Sequence, residues 1–263
     1  MYEQEEGKYQ LELGTVNEKF IAVASGKGGV GKSTVTANLA AALSEQGYEV
    51  GVIDADIRGF SIPRILGLAD SPYAEEEKVL IPPEVYGIKV MSMGSLMAEE
   101  KPIIWRGPLL SNTFQQFMEE VKWDELDYLL FDLPPGTGDM PLNLMQQVPD
   151  AELMVVTTPQ IAATKVSGRV AKMAAELNCN LLGIIENMSY YQCQECGVKE
   201  YIFGQGGGAK LADNLATDLL AELPLVTEVR KGSDQGEPIV IAEPEAEISQ
   251  DFFAIVDKIV TST

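Results

Sequence analysis

The sequence predicts an α/β domain, a mostly parallel β-sheet with helices on both faces. Three observations carry that expectation. Short runs rich in Val, Ile, Leu and Ala recur along the chain, and they are continuously apolar, as strands buried on both faces are. Segments with apolar residues at helical spacing separate them, which is the order a parallel sheet with crossover helices requires. A glycine-rich turn, SGKGGVGKST (25–34), joins the first such run to the first such segment.

In chain order, residues 1–18 read as a short polar leader and 19–263 as one domain without linker or internal repeat. KFIAVAS (19–25) is the first expected strand. A helix over 33–46 follows, with Val35, Leu39, Ala42 and Leu43 on its apolar positions and Gly47 as its stop signal. YEVGVID (48–54) and GIKVMSM (87–93) are the next strands, then a helix over 109–121 and the strand DYLLFDL (127–133). AELMVVTT (151–158), a helix over 162–177 and NLLGIIEN (180–187) continue the alternation. Helices over 207–216 and 245–260 complete it.

Composition and charge narrow the function. With 46% hydrophobic and 22% charged residues, the 263-residue chain has ordinary globular composition. No apolar run reaches the roughly 18 residues that span a bilayer, and MYEQEEGKYQ lacks the layout of a secretory signal. A soluble cytoplasmic protein is expected. Nineteen Lys and Arg stand against 40 Asp and Glu, a net charge of −21. Binding polyphosphate surfaces needs clustered cations, so neither nucleic acid nor membrane is an expected partner. There is no His, so a metal site must use Cys or carboxylates. Three Cys do not suit a disulfide framework.

Gly26, Gly31, Lys32 and Ser33 satisfy G-x-x-x-x-G-K-[ST] between a strand and a helix. Glycines let the backbone curl until successive N–H groups point at one anion, and the following helix adds its positive N-terminus. Gly26, Lys27, Gly28, Gly29, Val30, Gly31, Lys32, Ser33 and Thr34 are therefore candidates to hold ATP, within a single P-loop NTPase domain. Lys32 supplies a charge to the β- and γ-phosphates, and the Ser33 hydroxyl can ligate Mg²⁺. In the absence of nucleotide, Lys32 is expected to face solvent. Lys27 adds to the motif. The string KGGVGKST resembles the deviant phosphate loop of the family that includes the nitrogenase iron protein, the arsenite-pump ATPase, MinD and ParA. That resemblance implies a homodimer in which Lys27 reaches the partner subunit's nucleotide.

Acidic residues at later strand ends complete the expected site. Asp132 closes YLLFD, where it can hold Mg²⁺ through water or cap a turn. PPGTGD (134–139) behind it is a candidate switch loop. In DADIRGFS (54–61), Asp56 is the first choice for orienting or deprotonating the attacking water, by position in related ATPases. Asp54 is the second choice, and either residue could simply cap the loop. Asn187 offers both a donor and an acceptor, which suits an adenine edge as well as a turn.

Cys193 and Cys196 form a CxxC in the loop after the sixth strand. Two thiolates can converge on one metal but cannot close a tetrahedral site. One chain lacks the other ligands unless Cys179 and a carboxylate help. A twofold dimer supplies four thiolates, enough for a [4Fe–4S] cluster or a Zn²⁺ ion. A redox pair is the alternative reading of the motif, although the loop does not look like the start of a helix. Cys179, between a helix and a strand, reads as structural.

The ordered set GKGGVGKST, DADIRGFSIP, WRGP (105–108), FDLPPGTGD, TTPQ, ENMSYYQCQECG, IFGQGGG and EVRKGSDQGEPIV (228–240) closely resembles the Mrp/ApbC family, over about residues 19–260. The resemblance implies a slow ATPase that carries iron–sulfur clusters to client apoproteins, with Cys193 and Cys196 holding a cluster at the dimer interface. Arg58 and Phe60 stand where the family usually has Tyr and Pro, and Lys165 where an acidic residue is common. Residues 1–18 contain no Cys, so a second, N-terminal cluster is not implied. Three rival readings are a MinD-like positioning ATPase, a ParA-like DNA-binding ATPase and a Zn-stabilised regulatory dimer. A MinD-like protein needs a basic amphipathic C-terminal helix. Here that helix has Ile248, Phe252, Phe253, Val256, Ile259 and Val260 along one side but only Lys258 as a cation, so packing on the core is expected.

Overall fold

The computed structural model of the chain describes residues 19–57, 59–75, 79–96, 107–177 and 179–261. The expected leader, Arg58 and the first half of WRGP lie outside the described residues.

The expected strands form in place. They are β1 (Lys19–Ser25), β2 (Val50–Asp54), β6 (Ile88–Ser92), β7 (Tyr128–Asp132), β8 (Glu152–Thr157) and β9 (Leu181–Glu186). Short pieces fill the gaps: β3 (Tyr73–Ala74), β4 (Leu80–Ile81) and β5 (Glu84–Val85) precede β6, and β10 (Tyr191–Gln192), β11 (Lys199–Glu200) and β12 (Leu219–Glu222) follow β9. The central sheet runs β12-β9-β8-β1-β7-β2-β6-β5. Every neighbour pair in it is parallel except β5 with β6, a turnback at the edge.

Side chains alternate between the two faces of the sheet, as the strand period of two requires. Val23, Val52, Leu130 and Met154 lie in one core cluster with α1 (Lys32–Glu45), α2 (Ile62–Ile65), α7 (Thr227–Gln235), α8 (Ile239–Ala242) and α9 (Glu247–Thr261). Ala22, Ile53, Phe131 and Val155 lie in the other, with Phe114 and Phe117 of α3 (Gly107–Glu119), Leu144 of α4 (Asp139–Gln147) and Val170 of α5 (Ile161–Glu176). Both faces are covered, which is why the strand sequences are apolar throughout. The C-terminal helix packs on the core as expected, burying Ile248, Phe252, Val256 and Ile259. Each such side chain contributes about 1.5–3 kcal/mol. Lys258, its lone cation, donates to the Leu220 carbonyl at 2.6 Å. Among the described residues no helix is long and apolar enough to cross a membrane.

Parallel strands all end at one edge. The C-terminal ends of β1, β2, β7, β8 and β9 therefore gather there, and ligands of open α/β sheets bind outside such ends. Asp54 and Asp132 are direct register partners at this edge.

Candidate functional site

The phosphate loop curls where the sequence predicts. Gly29 and Gly31 have φ of 79° and 84°, in the left-handed region where a side chain strains the backbone. Gly31 precedes α1 as its cap and lies against the Asn187 amide. Gly26 is needed for a different reason. A Cβ there would meet the Val166 carbonyl carbon of α5 at 2.6 Å, and the Gly26 amide donates to Ser167 Oγ at 3.3 Å. The start of the loop is thus wedged against α5.

Lys32 departs from expectation. It faces the protein, with 6% exposure, and its Nζ pairs with Asp132 Oδ2 at 2.6 Å. The physical reason is the fully buried carboxylate at the end of β7, which needs a countercharge. Asp132 also accepts from Ser33 Oγ at 2.6 Å and from Thr36 Oγ1 at 2.8 Å. This hard oxygen set suits Mg²⁺, which Ser33 would ligate directly and Asp132 through water. Thr36, one turn into α1, was missed by sequence reading. Its signal is a hydroxyl four residues after Lys32 on the same helix face.

Beside the loop lies a cleft of about 360 Å³, lined among others by Lys27, Gly28, Lys32, Thr34, Asp56 and Pro135. That volume falls in the usual range for small ligands. Of the two acids at the end of β2 and just beyond it, Asp56 lines the cleft and Asp54 does not. Asp54 is fully buried and accepts the backbone amides of Asp56 and Ile62, each at 3.2 Å, so it caps the loop. Burial, and then the neighbouring Asp132 charge, push its pKa up to about 7. Lys27 reaches Gln160 Oε1 at 2.7 Å, at the start of α5.

Asn187 lies against the phosphate loop. Its Nδ2 donates to the Val30 carbonyl at 2.9 Å. Glu186, which sequence reading passed over, is fully buried beside it. Its Oε1 accepts from Ser189 Oγ at 2.6 Å, and its Oε2 accepts from the Gly208 amide at the start of α6 (Gly207–Leu215). The available signal was a carboxylate at the end of an otherwise apolar strand.

The cysteine pair lies apart from the cleft, on a two-stranded hairpin made by β10 and β11. The Cys193 amide donates to Val198 O at 3.0 Å, and Gly197, at φ 70°, donates back to Cys193 O at 2.9 Å. The backbone amides of Cys196 and then Glu195 point at the Cys193 sulfur, with the Cys196 side chain adding a third interaction. Together they lower the Cys193 thiol pKa. A turn that stabilises thiolate before any metal arrives is suited to metal ligation. Cys196 is exposed and Cys193 half-exposed. Cys179 is no third ligand for this pair. It is buried, donates to Ala151 O at 2.9 Å, and burial pushes its pKa up to about 11. It also precedes β9, whereas the hairpin follows it, and six strand residues separate the two by about 20 Å. Among the described residues no group of three or more Cys, Asp and Glu is arranged to hold a metal ion.

Comparison with known proteins agrees with this layout. The sequence profile described as ParA, NUBPL iron-transfer P-loop NTPase, matches residues 16–260. The iron–sulfur cluster carrier protein of Haemophilus influenzae is 46% identical over 245 residues, covering 93% of this chain and 66% of the relative. That of Bacillus subtilis is 47% identical over 240 residues, covering 90% and 68%. The chain thus spans about two thirds of the length of these curated relatives. Among solved structures, a nucleotide-binding protein from Archaeoglobus fulgidus in complex with ADP superposes with a TM-score of 0.76 at 40% identity, covering 90% of this chain and 91% of that one. The septum site-determining protein MinD of Pyrococcus horikoshii superposes at 0.68 and 23% identity, covering 92% and 96%, and shares the fold. With its phosphate loop, its buried strand-end aspartate and a profile match over nearly its whole length, the chain belongs to the ParA family as a NUBPL-type iron-transfer P-loop NTPase.

Proposed function

We propose that this protein hydrolyses ATP and carries a [4Fe–4S] cluster as cargo, held between two copies and passed to client apoproteins in the cytoplasm. One observation carries the reading: an exposed hairpin whose amides stabilise a Cys193 thiolate, beside Cys196, with no third ligand near it among the described residues. Two thiolates are half of what a cluster needs. A second copy related by a twofold axis supplies the rest.

At the other site, the amides from Gly28 to Thr34 cradle the phosphates and Lys32 exchanges Asp132 for the terminal phosphate. Ser33 and Asp132 would hold Mg²⁺, which would supply charge neutralisation there. Asp56 orients the attacking water, Asn187 reads the adenine edge, and Lys27 leaves Gln160 to reach the partner subunit's nucleotide. The relatives named as cluster carriers and the Archaeoglobus complex with ADP support this assignment.

Anaerobic reconstitution with iron and sulfide, followed by sedimentation, tests it. One four-iron cluster per two chains is expected, with Cys193→Ala/Cys196→Ala losing both the cluster and the cluster-dependent dimer. A monomer that keeps four iron atoms, or a double variant that still binds them, refutes the bridging arrangement. Tight Zn²⁺ binding with no cluster uptake refutes the cargo.

A further inference from the structure

The groove between α5 and α6 concentrates positive charge on an acidic protein. Lys165, Arg169 and Lys172 project from α5, and Lys210 from α6, around a cavity of about 1080 Å³. These are four of the nineteen cations in a chain of net charge −21. No carboxylate lines the cavity among the described residues. At the chain's average composition, its sixteen lining residues would include about two carboxylates and about one cation. All four cations are exposed, and none pairs with a described carboxylate. Glu176 and Asp213 follow one turn later on the same helices but do not line the groove. A solvated helix face would mix both signs, and this one does not.

The groove also carries apolar side chains. Ile161, 72% exposed, lines it together with Phe203, Leu211 and Leu215. The three cations of α5 span about 10 Å at 1.5 Å per residue. That length fits about two turns of a helix, or three to four extended residues carrying alternate carboxylates. Nucleic acid or an anionic bilayer would present charge well beyond that span and meet the acidic remainder of the surface. A short peptide would not.

We propose that this groove docks a short acidic, partly apolar segment of the protein that receives the cargo. The identity of the receiver rests on the carrier reading; the binding chemistry does not. The position suits an exchange partner. Gln160, which holds Lys27 of the phosphate loop, lines the same groove, and the loop that closes it at Phe203 and Gln205 leads back to the cysteine hairpin. An occupant would therefore touch Gln160, the partner of Lys27, and the loop that connects to the cysteine hairpin.

The test uses a fluorescein-labelled twelve-residue peptide of Glu and Leu, with a Lys and Leu peptide as control, read by fluorescence anisotropy on the full chain. The acidic peptide should bind and the basic one should not. Lys165→Glu/Lys172→Glu should weaken binding at least about tenfold, since like charges then face each other. Lys165→Gln/Lys172→Gln should lie between, and added salt should weaken the wild-type complex. Peptide-free ATP hydrolysis and iron content should not change in either variant. Equal binding by wild type and the Glu variant overturns the proposal. So does tighter, groove-dependent binding of a single-stranded oligonucleotide or of phosphatidylserine vesicles, and so does a shift of the dimer equilibrium in the variants, which would make the groove an interface between copies. Failure of the wild type to take up a cluster would sink the carrier reading while leaving the peptide result standing.

Discussion

Replacing Lys32 by Met separates the two jobs the structure gives this side chain. Met is close to Lys in volume, so the variant removes a charge and opens no large cavity. What it leaves is Asp132, fully buried, with the Ser33 and Thr36 hydroxyls as donors and no cation. Removing one partner of a buried ion pair typically costs about 3–5 kcal/mol, because the remaining charge stays desolvated. A chain of this size loses about 2–4 °C of Tm per kcal/mol, so nucleotide-free protein at pH 8 should melt about 6–20 °C lower. Two controls identify the cause. Asp132→Asn in the Lys32→Met background should recover most of the loss, a coupling that a double-mutant cycle measures. Lowering the pH to about 5 should narrow the gap, because Asp54, its pKa raised to about 7, takes up a proton and withdraws its charge from beside Asp132. Circular dichroism melts read the stability, and titration with a fluorescent ATP analogue reads binding, which should be lost. A variant that melts with wild type but no longer binds ATP would refute the buried pair and return Lys32 to solvent.

Other substitutions test the remaining parts of the site. Asp56→Asn should keep nucleotide affinity and slow hydrolysis by about 10²–10⁴-fold, as loss of a water-orienting group does; unchanged turnover in a phosphate-release assay would remove it from the chemistry. Asp54, with its folded pKa raised to about 7 from 3.8, holds a proton that the unfolded chain releases. Its contribution is therefore fully present below about pH 4 and is lost as pH rises toward 7, at up to about 1.4 kcal/mol per unit. Asp54→Asn should flatten that slope in urea melts of nucleotide-free protein, and an unaltered slope would place the titration elsewhere. Gly26→Ala drives a methyl into the α5 backbone at Val166 and Ser167. Limited proteolysis should find the loop and the start of α5 opened, and a wild-type cleavage pattern would contradict the contact.

Legibility followed burial. The strands that sequence reading found are those covered on both faces, because only they show uninterrupted apolar runs. β12 escaped because LLAE is four residues at a sheet edge, half-buried and ending in Glu222. β10 and β11 escaped because two-residue strands have no period to read. The phosphate loop was legible because its glycines answer a backbone requirement that local sequence records. The pairing of Lys32 with Asp132 was not, since it joins residues a hundred positions apart and depends on register alone. The stripe of Lys165, Arg169 and Lys172, at helical spacings of four and three, marks no groove by itself. It becomes a groove only once Lys210 and Phe203 are brought across from the next helix and its loop.

The end of β9 joins these features. Asn187 is bonded to the phosphate loop through the Val30 carbonyl. Glu186, one residue earlier, is bonded to Ser189 at the foot of the cysteine hairpin and to Gly208 at the head of α6, which forms one wall of the cationic groove. The foot of the hairpin is clamped to the segment just after β12, with the Ser189 amide donating to Leu223 O and the Leu225 amide to Tyr190 O. A phosphate loop that rearranges around nucleotide must keep or break the Asn187 bond, and breaking it frees the strand end that holds the other two. A hydrogen bond contributes about 0.5–1.5 kcal/mol, more when the acceptor is charged. The two or three bonds at this joint can therefore shift an equilibrium by about 1–4.5 kcal/mol, which covers the roughly 5–150-fold usual for coupling between sites. Linkage makes the effect reciprocal, so cluster loading should alter ATP affinity by the same factor that ATP alters cluster retention. Iron release to a chelator with and without ATP, set beside ATP affinity with and without cluster, measures both sides. A retention change well beyond about 2,000-fold would require a route other than this strand end.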